Sequence, residues 1–265
     1  MLHARFRFLP VLAVALLALA LAGCGDPTYT WHQKMVVEVE TPNGIKSGSS
    51  VVDVSAQVGS GFLAKHTAGS PVAWKIHGEA VTVDLGNGRY LFALLTGNKY
   101  RAQPGRNALY SFADMASYDP GHDTLPVDQV ERAPRNRSVP IAAESYPLLV
   151  TFTDLADPKT VRRIDPGNLA ASFGPGYVLK AITLEITDEK TSGGRIENIL
   201  RWLAWPRERF LAAGGGETPL KVPGQTVGRD DFVSERNPER PILSKVDPHD
   251  FSFAAKLRQG HFIRQ

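Results

Sequence analysis

The sequence predicts an α+β protein: a mostly antiparallel β-sheet built from hairpins, with a few short packed helices, behind a cleaved N-terminal export signal. Three observations carry that expectation. Residues 34–40 alternate between apolar and polar side chains and end on Thr-Pro-Asn-Gly. A second pair of β-branched and aromatic segments flanks Gly86, Asn87 and Gly88. The chain also opens on two arginines followed by an apolar run.

The leader comes first. Met1 to Arg7 hold Arg5 and Arg7 and no acid, and Phe8 to Ala22 are apolar apart from Pro10. This is a positive n-region followed by an h-region of secretory-signal length. It is shorter than the about 20 apolar residues that cross a bilayer core. Leu21, Ala22, Gly23 and Cys24 then resemble the lipobox of bacterial lipoproteins. That resemblance implies cleavage before Cys24 once its thiol carries a diacylglyceryl group, so that Cys24 becomes the first mature residue, acylated with palmitate-type chains. The plainer alternative is a free cysteine at the end of an uncleaved signal anchor. One acyl chain holds a protein only marginally, at about 0.8 kcal/mol per buried methylene, whereas two or three hold it firmly. Gly25 follows the cysteine and the first aspartate stands at position 26, a pattern that favours the outer over the inner membrane. The expected location is therefore the cell envelope, facing the periplasm.

Removing residues 1–23 leaves 242 of the 265, enough for one large domain, and takes Arg5 and Arg7 away, which lowers the formal charge from +3 to +1. No basic field suited to nucleic acid remains. Cys24 is the sole cysteine, so its acylation leaves no thiol for a disulfide, a metal or a nucleophile. The expected organisation is a signal peptide at 1–23, a lipidated tether at 24–33, a β-rich periplasmic domain at 34–213 and a Gly/Pro-rich tail at 214–265, partly docked. The expected partners are the membrane, through the lipid on Cys24, and another envelope protein.

Within the domain, Met35, Val37 and Val39 share one strand face and Lys34, Glu38 and Glu40 the other. Pro42, Asn43 and Gly44 favour a reversal, and Ser50 to Ala56 resume as a β-branched strand, closing a hairpin. "EAVTVDL" and "RYLFALL" form a second hairpin around a three-residue Gly86–Gly88 loop. Residues 98–143 read mostly as loop, with one short helix inside Asn107 to Tyr118. "YPLLVTFTDL" returns to strand. Asp165 as N-cap and Pro166 at the first helical position open a helix that Gly174 stops. Tyr177 to Asp188 is the strongest strand, a central or near-central one, with Ile182, Leu184 and Ile186 on its core face and Glu185 opposite. Ile196, Ile199, Leu200 and Leu203 then recur at helical spacing through Trp205, and Pro206 limits that helix. Phe251, Phe253, Leu257, Phe262 and Ile263 give the tail apolar groups with which to dock.

"GSSVVDV", "GEAVTVDLG", "YPLLVTFTDLADPKTVRRIDPGNLAASFGPG" and "LKAITLEITDE" resemble a group of uncharacterised proteobacterial proteins with signal peptides. The resemblance implies one exported domain and brings no activity with it.

Catalytic patterns are weak. No two histidines stand one helical turn apart around a glutamate. Histidines 32, 66, 77, 122, 249 and 261 are scattered, and a metal assembled from His122, Asp123, His249 and Asp250 would rest on ligand type alone. The bland reading of those Asp-Pro segments is turn formation. Ser47, Ser49 and Ser50 lack a nucleophile elbow or a Ser-x-x-Lys pair. Asp154, Asp157, Asp165, Asp188 and Glu189 include any carboxylate pair that glycoside chemistry would need, but Asp157 and Asp165 precede prolines, where caps and turns are commoner. Trp202 and Trp205, among Arg195, Arg201, Arg207 and Arg209, have the composition of a membrane-surface helix; packing on a sheet is the simpler assignment. No cofactor is implied. The leading expectation is a non-catalytic binding or structural lipoprotein. The alternatives are a periplasmic hydrolase using carboxylates or a loop metal, and a carrier of an apolar ligand.

Overall fold

A computed structural model describes residues 26–59, 72–97, 99–119, 125–205 and 262–264. The described strands are β1 (Thr28–Thr41), β2 (Gly44–Val58), β3 (Val72–Glu79), β4 (Val81–Gly86), β5 (Arg89–Ala93), β6 (Val139–Pro140), β7 (Leu149–Phe152), β8 (Val161–Arg163), β9 (Val178–Thr187) and β10 (Ile263–Arg264). Among the described residues four short α-helices accompany them: α1 (Arg106–Phe112), α2 (Val127–Glu131), α3 (Ala170–Phe173) and α4 (Arg195–Ile199). The strands form a six-stranded sheet, ordered β10-β3-β2-β1-β9-β6, and a four-stranded sheet, ordered β4-β5-β7-β8. Every pairing is antiparallel. The fold is α+β and mostly antiparallel, as the hairpin signals predict.

The β1–β2 hairpin is the longest element. Its pairing runs from Thr28↔Gln57 to Thr41↔Gly44. Trp31, Val37 and Val39 of β1 and Val52, Val54 and Ala56 of β2 turn into the core, while His32, Lys34, Glu38 and Glu40 line the outer face. Gly44 takes a φ of 99° as β2 leaves the turn, a region glycine enters without steric cost. The strand starts at Thr28, well before the Lys34 that the alternation predicts, so residues 28–33 belong to the strand and not to a segment preceding it. Tyr29 and Trp31 extend the inward row; Gln33, polar and inward, hides the continuity from a hydropathy pattern.

β9 lies against β1, with Ile182, Leu184 and Ile186 fully buried. It is the fifth of six strands, flanked outside only by the two-residue β6, which meets the near-central expectation. The second hairpin closes more tightly than the sequence predicts. Gly86 pairs with Arg89, leaving a two-residue loop in which Asn87 (φ 55°) and Gly88 (φ 71°) are both left-handed. That is the requirement of a twist-matched hairpin turn.

The two sheets are joined by one residue. β3 ends at Glu79 in the large sheet, Ala80 turns the corner and β4 starts at Val81 in the small one. The sheets approach so closely at Gly48 that a Cβ there would stand 2.0 Å from the carbonyl oxygen of Thr82. Phe92, Phe152, Trp202 and Phe262 fill the interior, with ring centroids 5.7 Å apart for Phe92–Phe152, 5.7 Å for Phe152–Trp202 and 5.4 Å for Trp202–Phe262. Edge and tilted contacts of this kind add about 0.5–1.5 kcal/mol each beyond their buried area.

The predicted 195–205 helix is two pieces, α4 and a 3₁₀ turn over Arg201–Ala204, broken at Leu200. The break lets Trp202 enter the core fully buried, which corrects the membrane-surface alternative for that tryptophan. The predicted 165–174 helix starts later, at Ala170, because Asp165 spends its side chain on a turn, accepting from the Gly167 amide at 2.9 Å. Gly174 ends it with a φ of 98°, as expected. Of the tail, Phe262–Arg264 dock as β10 against Gly78 and Glu79, while residues 214–261 lie outside the described residues.

Candidate functional site

The polar feature of the core is a group of four side chains from four distant segments: Gln33 on β1, Ser50 on β2, Glu79 at the sheet corner and Asn107 on α1. Gln33 and Asn107 are 1 % exposed, Ser50 3 % and Glu79 4 %. Burial at this level demands hydrogen-bond partners. The Gln33 amide accepts from Trp31 Nε1 and donates to Asn107 Oδ1, both at 3.1 Å. Ser50 Oγ donates to the Glu79 carbonyl at 2.6 Å. Glu79 Oε2 accepts from the backbone amides of Arg195 and Ile196 at 3.0 and 3.1 Å.

Glu79 thereby acts as a cap for α4. That helix begins after Gly194, which has no side chain to offer. The carboxylate supplies the missing acceptor from across the corner and sits where the helix carries its partial positive charge. Asn107 Nδ2 is the exception, buried without a partner. These four residues line a cavity of about 20 Å³ together with Met35, Val52, Val81 and Pro104. That space holds about one water, given that a single probe sphere needs about 10–15 Å³. The arrangement fixes the sheet corner, and its one carboxylate is already committed to a helix terminus.

Beside it, Arg106 lies over the Trp74 ring, its guanidinium carbon 5.7 Å from the centroid. Burial pushes its pKa down to about 10, against a smaller opposing effect of Tyr110. Removing a guanidinium from water disfavours its charged form.

The residues singled out from the sequence fall elsewhere. Cys24, His66, His122, Asp123, Arg207, Arg209, His249, Asp250 and His261 lie outside the described residues. His32 Nδ1 is 2.7 Å from the Glu189 carbonyl, and His77 is exposed on the outer face of β3. Asp154 and Asp157 accept from the amides of Ala156 and Lys159 at 2.8 and 2.9 Å. Asp188 pairs with Arg135 at 3.2 Å and Glu189 with Lys34 at 2.6 Å. The carboxylates are therefore in caps, turns and ion pairs. Ser50 enters the polar group, while Ser47 and Ser49 stay on the outer face. Among the described residues no group of three or more His, Cys, Asp and Glu could hold a metal ion, and no helix is long and apolar enough to cross a membrane. Sequence reasoning missed Gln33, Glu79 and Asn107. Only the inward place of Gln33 in the odd-numbered row of β1 could have pointed to one of them.

No protein-family model matches the chain, and no curated protein or solved structure matches it significantly.

Proposed function

We propose that this chain is a lipid-anchored envelope protein, held through the acylated thiol of Cys24 and facing the periplasm, with the outer membrane as its site. Its folded domain binds or supports another envelope component without catalysing a reaction. The observation that carries this reading is the segment Leu21-Ala22-Gly23-Cys24 after a short apolar run, with the first strand beginning only four residues later at Thr28. Export followed by anchoring joins these two facts. The use of Asp154, Asp157, Asp165, Asp188 and Glu189 in turns and ion pairs supports a binding or structural role over hydrolysis.

Cells expressing the wild type and Cys24→Ser, labelled with a fatty-acid probe, provide the test. The wild type incorporates label, and the variant incorporates none and accumulates as the longer precursor. Equal incorporation in both refutes the anchor.

A further inference from the structure

We propose that two copies of this chain pair edge to edge, antiparallel, along the open edge of β2 from Ile45 to Ser49, with the two-fold axis at Ser47. β3 pairs with β2 only over Asp53–Val58, because the chain after Gly78 and Glu79 turns the corner into the small sheet. Beyond that pairing Val51 is held by Ser192: its amide donates to Ser192 Oγ at 3.0 Å and its carbonyl accepts from the Ser192 amide at 2.9 Å. Both backbone groups of Val51 thus point away from β1. The β1–β2 register runs unbroken to the turn, so strand alternation sends the N–H and C=O groups of Ser49, Ser47 and Ile45 to the same side. No other described strand lies along them. Ile45, Lys46 and Ser47 are exposed and Ser49 is half-buried. A row of unpaired backbone groups on an exposed edge is a template for another strand.

The two ends of this edge and its charge select the occupant. The Pro42-Asn43 turn bounds it on one side and Ser192 on the other. A second β2 brings an edge with the same bounds, so a two-fold contact satisfies both copies at once, as an isologous interface does. Centred on Ser47, the pairing sets Ser47 against Ser47, Ile45 against Ser49, and Lys46 against Gly48, which carries no side chain. Every outward backbone group from Ile45 to Ser49 then gains a partner, and Ile45, 54 % exposed, gains a neighbour. Moving the centre to Lys46 places two ammonium groups directly opposite each other, which destabilises a strand pair. Moving it to Gly48 drives Ile45 against Val51, whose backbone Ser192 already holds. Charge and the bounded edge thus leave one register. The contact is small beside the about 20–30 residues a side of a standard interface, so the pair is weak and concentration-dependent. It stands on β2 alone and does not depend on the lipid on Cys24.

Cross-linking reads the register. In the full chain carrying Cys24→Ser, an introduced cysteine is the only thiol. Across a hydrogen-bonded antiparallel pair the Cα atoms stand about 5.5 Å apart, inside the about 4.4–6.8 Å that a disulfide spans. Ser47→Cys, Lys46→Cys and Gln57→Cys are each added to this chain, purified in mild detergent and oxidised with copper–phenanthroline, and the dimer is measured on non-reducing gels. Several-fold more dimer at 47 than at 46 or 57 is expected. Adding Ser49→Pro to Ser47→Cys removes an outward N–H that the β1 ladder does not use, a place where an edge strand tolerates proline. It should lower the yield at 47 several-fold and leave the circular dichroism spectrum unchanged. Equal yields at the three positions, or a yield at 47 that survives Ser49→Pro, overturns the pairing.

Discussion

Replacing Glu79 by alanine tests whether one buried carboxylate holds the sheet corner to the helical segment behind it. The side chain is almost fully buried, and one of its oxygens accepts from the amides of Arg195 and Ile196. Arg195 is exposed, so water can take over its amide when the carboxylate goes; Ile196 is buried, so its amide is left without a partner. An unsatisfied buried donor costs about 1–3 kcal/mol, and loss of a helix cap costs about 0.5–2 kcal/mol on its own. Relief of the carboxylate's own desolvation offsets part of this. The expected net loss is about 2–4 kcal/mol, a large share of the about 5–15 kcal/mol that keeps a domain folded. Glu79→Gln keeps an acceptor oxygen and loses the charge assistance, so about 1 kcal/mol is expected. Urea unfolding of a chain starting at Gly25, followed by tryptophan fluorescence, reports both values, since Trp202 follows α4 into the core. A loss below about 0.5 kcal/mol for Glu79→Ala, the range of ordinary surface changes, would refute the capping argument. An alanine variant more stable than the glutamine variant would refute it as well.

Three further expectations accompany this one. Leu184→Ala should cost about 2–5 kcal/mol in the same urea assay, as for large-to-small changes in packed cores. Glu185→Ala, which faces Lys34 across the β1–β9 pair, should cost no more than about 1 kcal/mol; the reverse order would mean that the faces of β9 are misassigned. Gly48→Ala places a methyl group 2.0 Å from the Thr82 carbonyl oxygen and forces the sheets apart, with a loss of about 1–3 kcal/mol or more. Gly167→Ala, whose nearest neighbour is Asp165 Oδ1 at 3.4 Å, serves as the tolerated control. The Ser117 hydroxyl and amide hold Asp114 below the usual carboxylate range. The order they give residues 114–117 is therefore complete above the unfolded aspartate pKa and lost as pH falls through the lower folded value. An NMR titration of the Asp114 carboxyl should show that low midpoint, and a midpoint at or above the unfolded value would refute it.

The elements that local chemistry announces were legible in the sequence. Ile182, Leu184 and Ile186 alternate without interruption, and the turn residues Pro42-Asn43-Gly44 and Asn87-Gly88 mark both hairpins. β3 was not legible, because Val72 to Gly86 is nearly continuous strand that changes sheets at Ala80. No local signal says that a run of strand residues turns a corner, so Glu79 reads as the first residue of the second hairpin. The helical stripe from Ile196 to Leu203 was visible, but the demand of the core for Trp202 outweighed the helix pattern at Leu200. The polar group was the least legible. Its members stand at positions 33, 50, 79 and 107, and each is of a residue type that usually belongs to the surface. Their burial is a property of the assembled sheets and is absent from any one segment.

The place of Phe262 bears on when the protein can fold. This ring packs against Phe92, 170 positions earlier in the chain, at a centroid distance of 6.3 Å, and its carbonyl accepts from the corner residue Ala80 at 2.7 Å. Contacts so distant in sequence are slow to form, because a long loop must close before they gain anything. A nascent chain that has not yet reached Phe262 has an open corner and an aromatic interior without its fourth member. Such a chain cannot close its core while it is being made. Completion then waits for Phe262, and the moment at which the core closes is set by the order of residues along the chain.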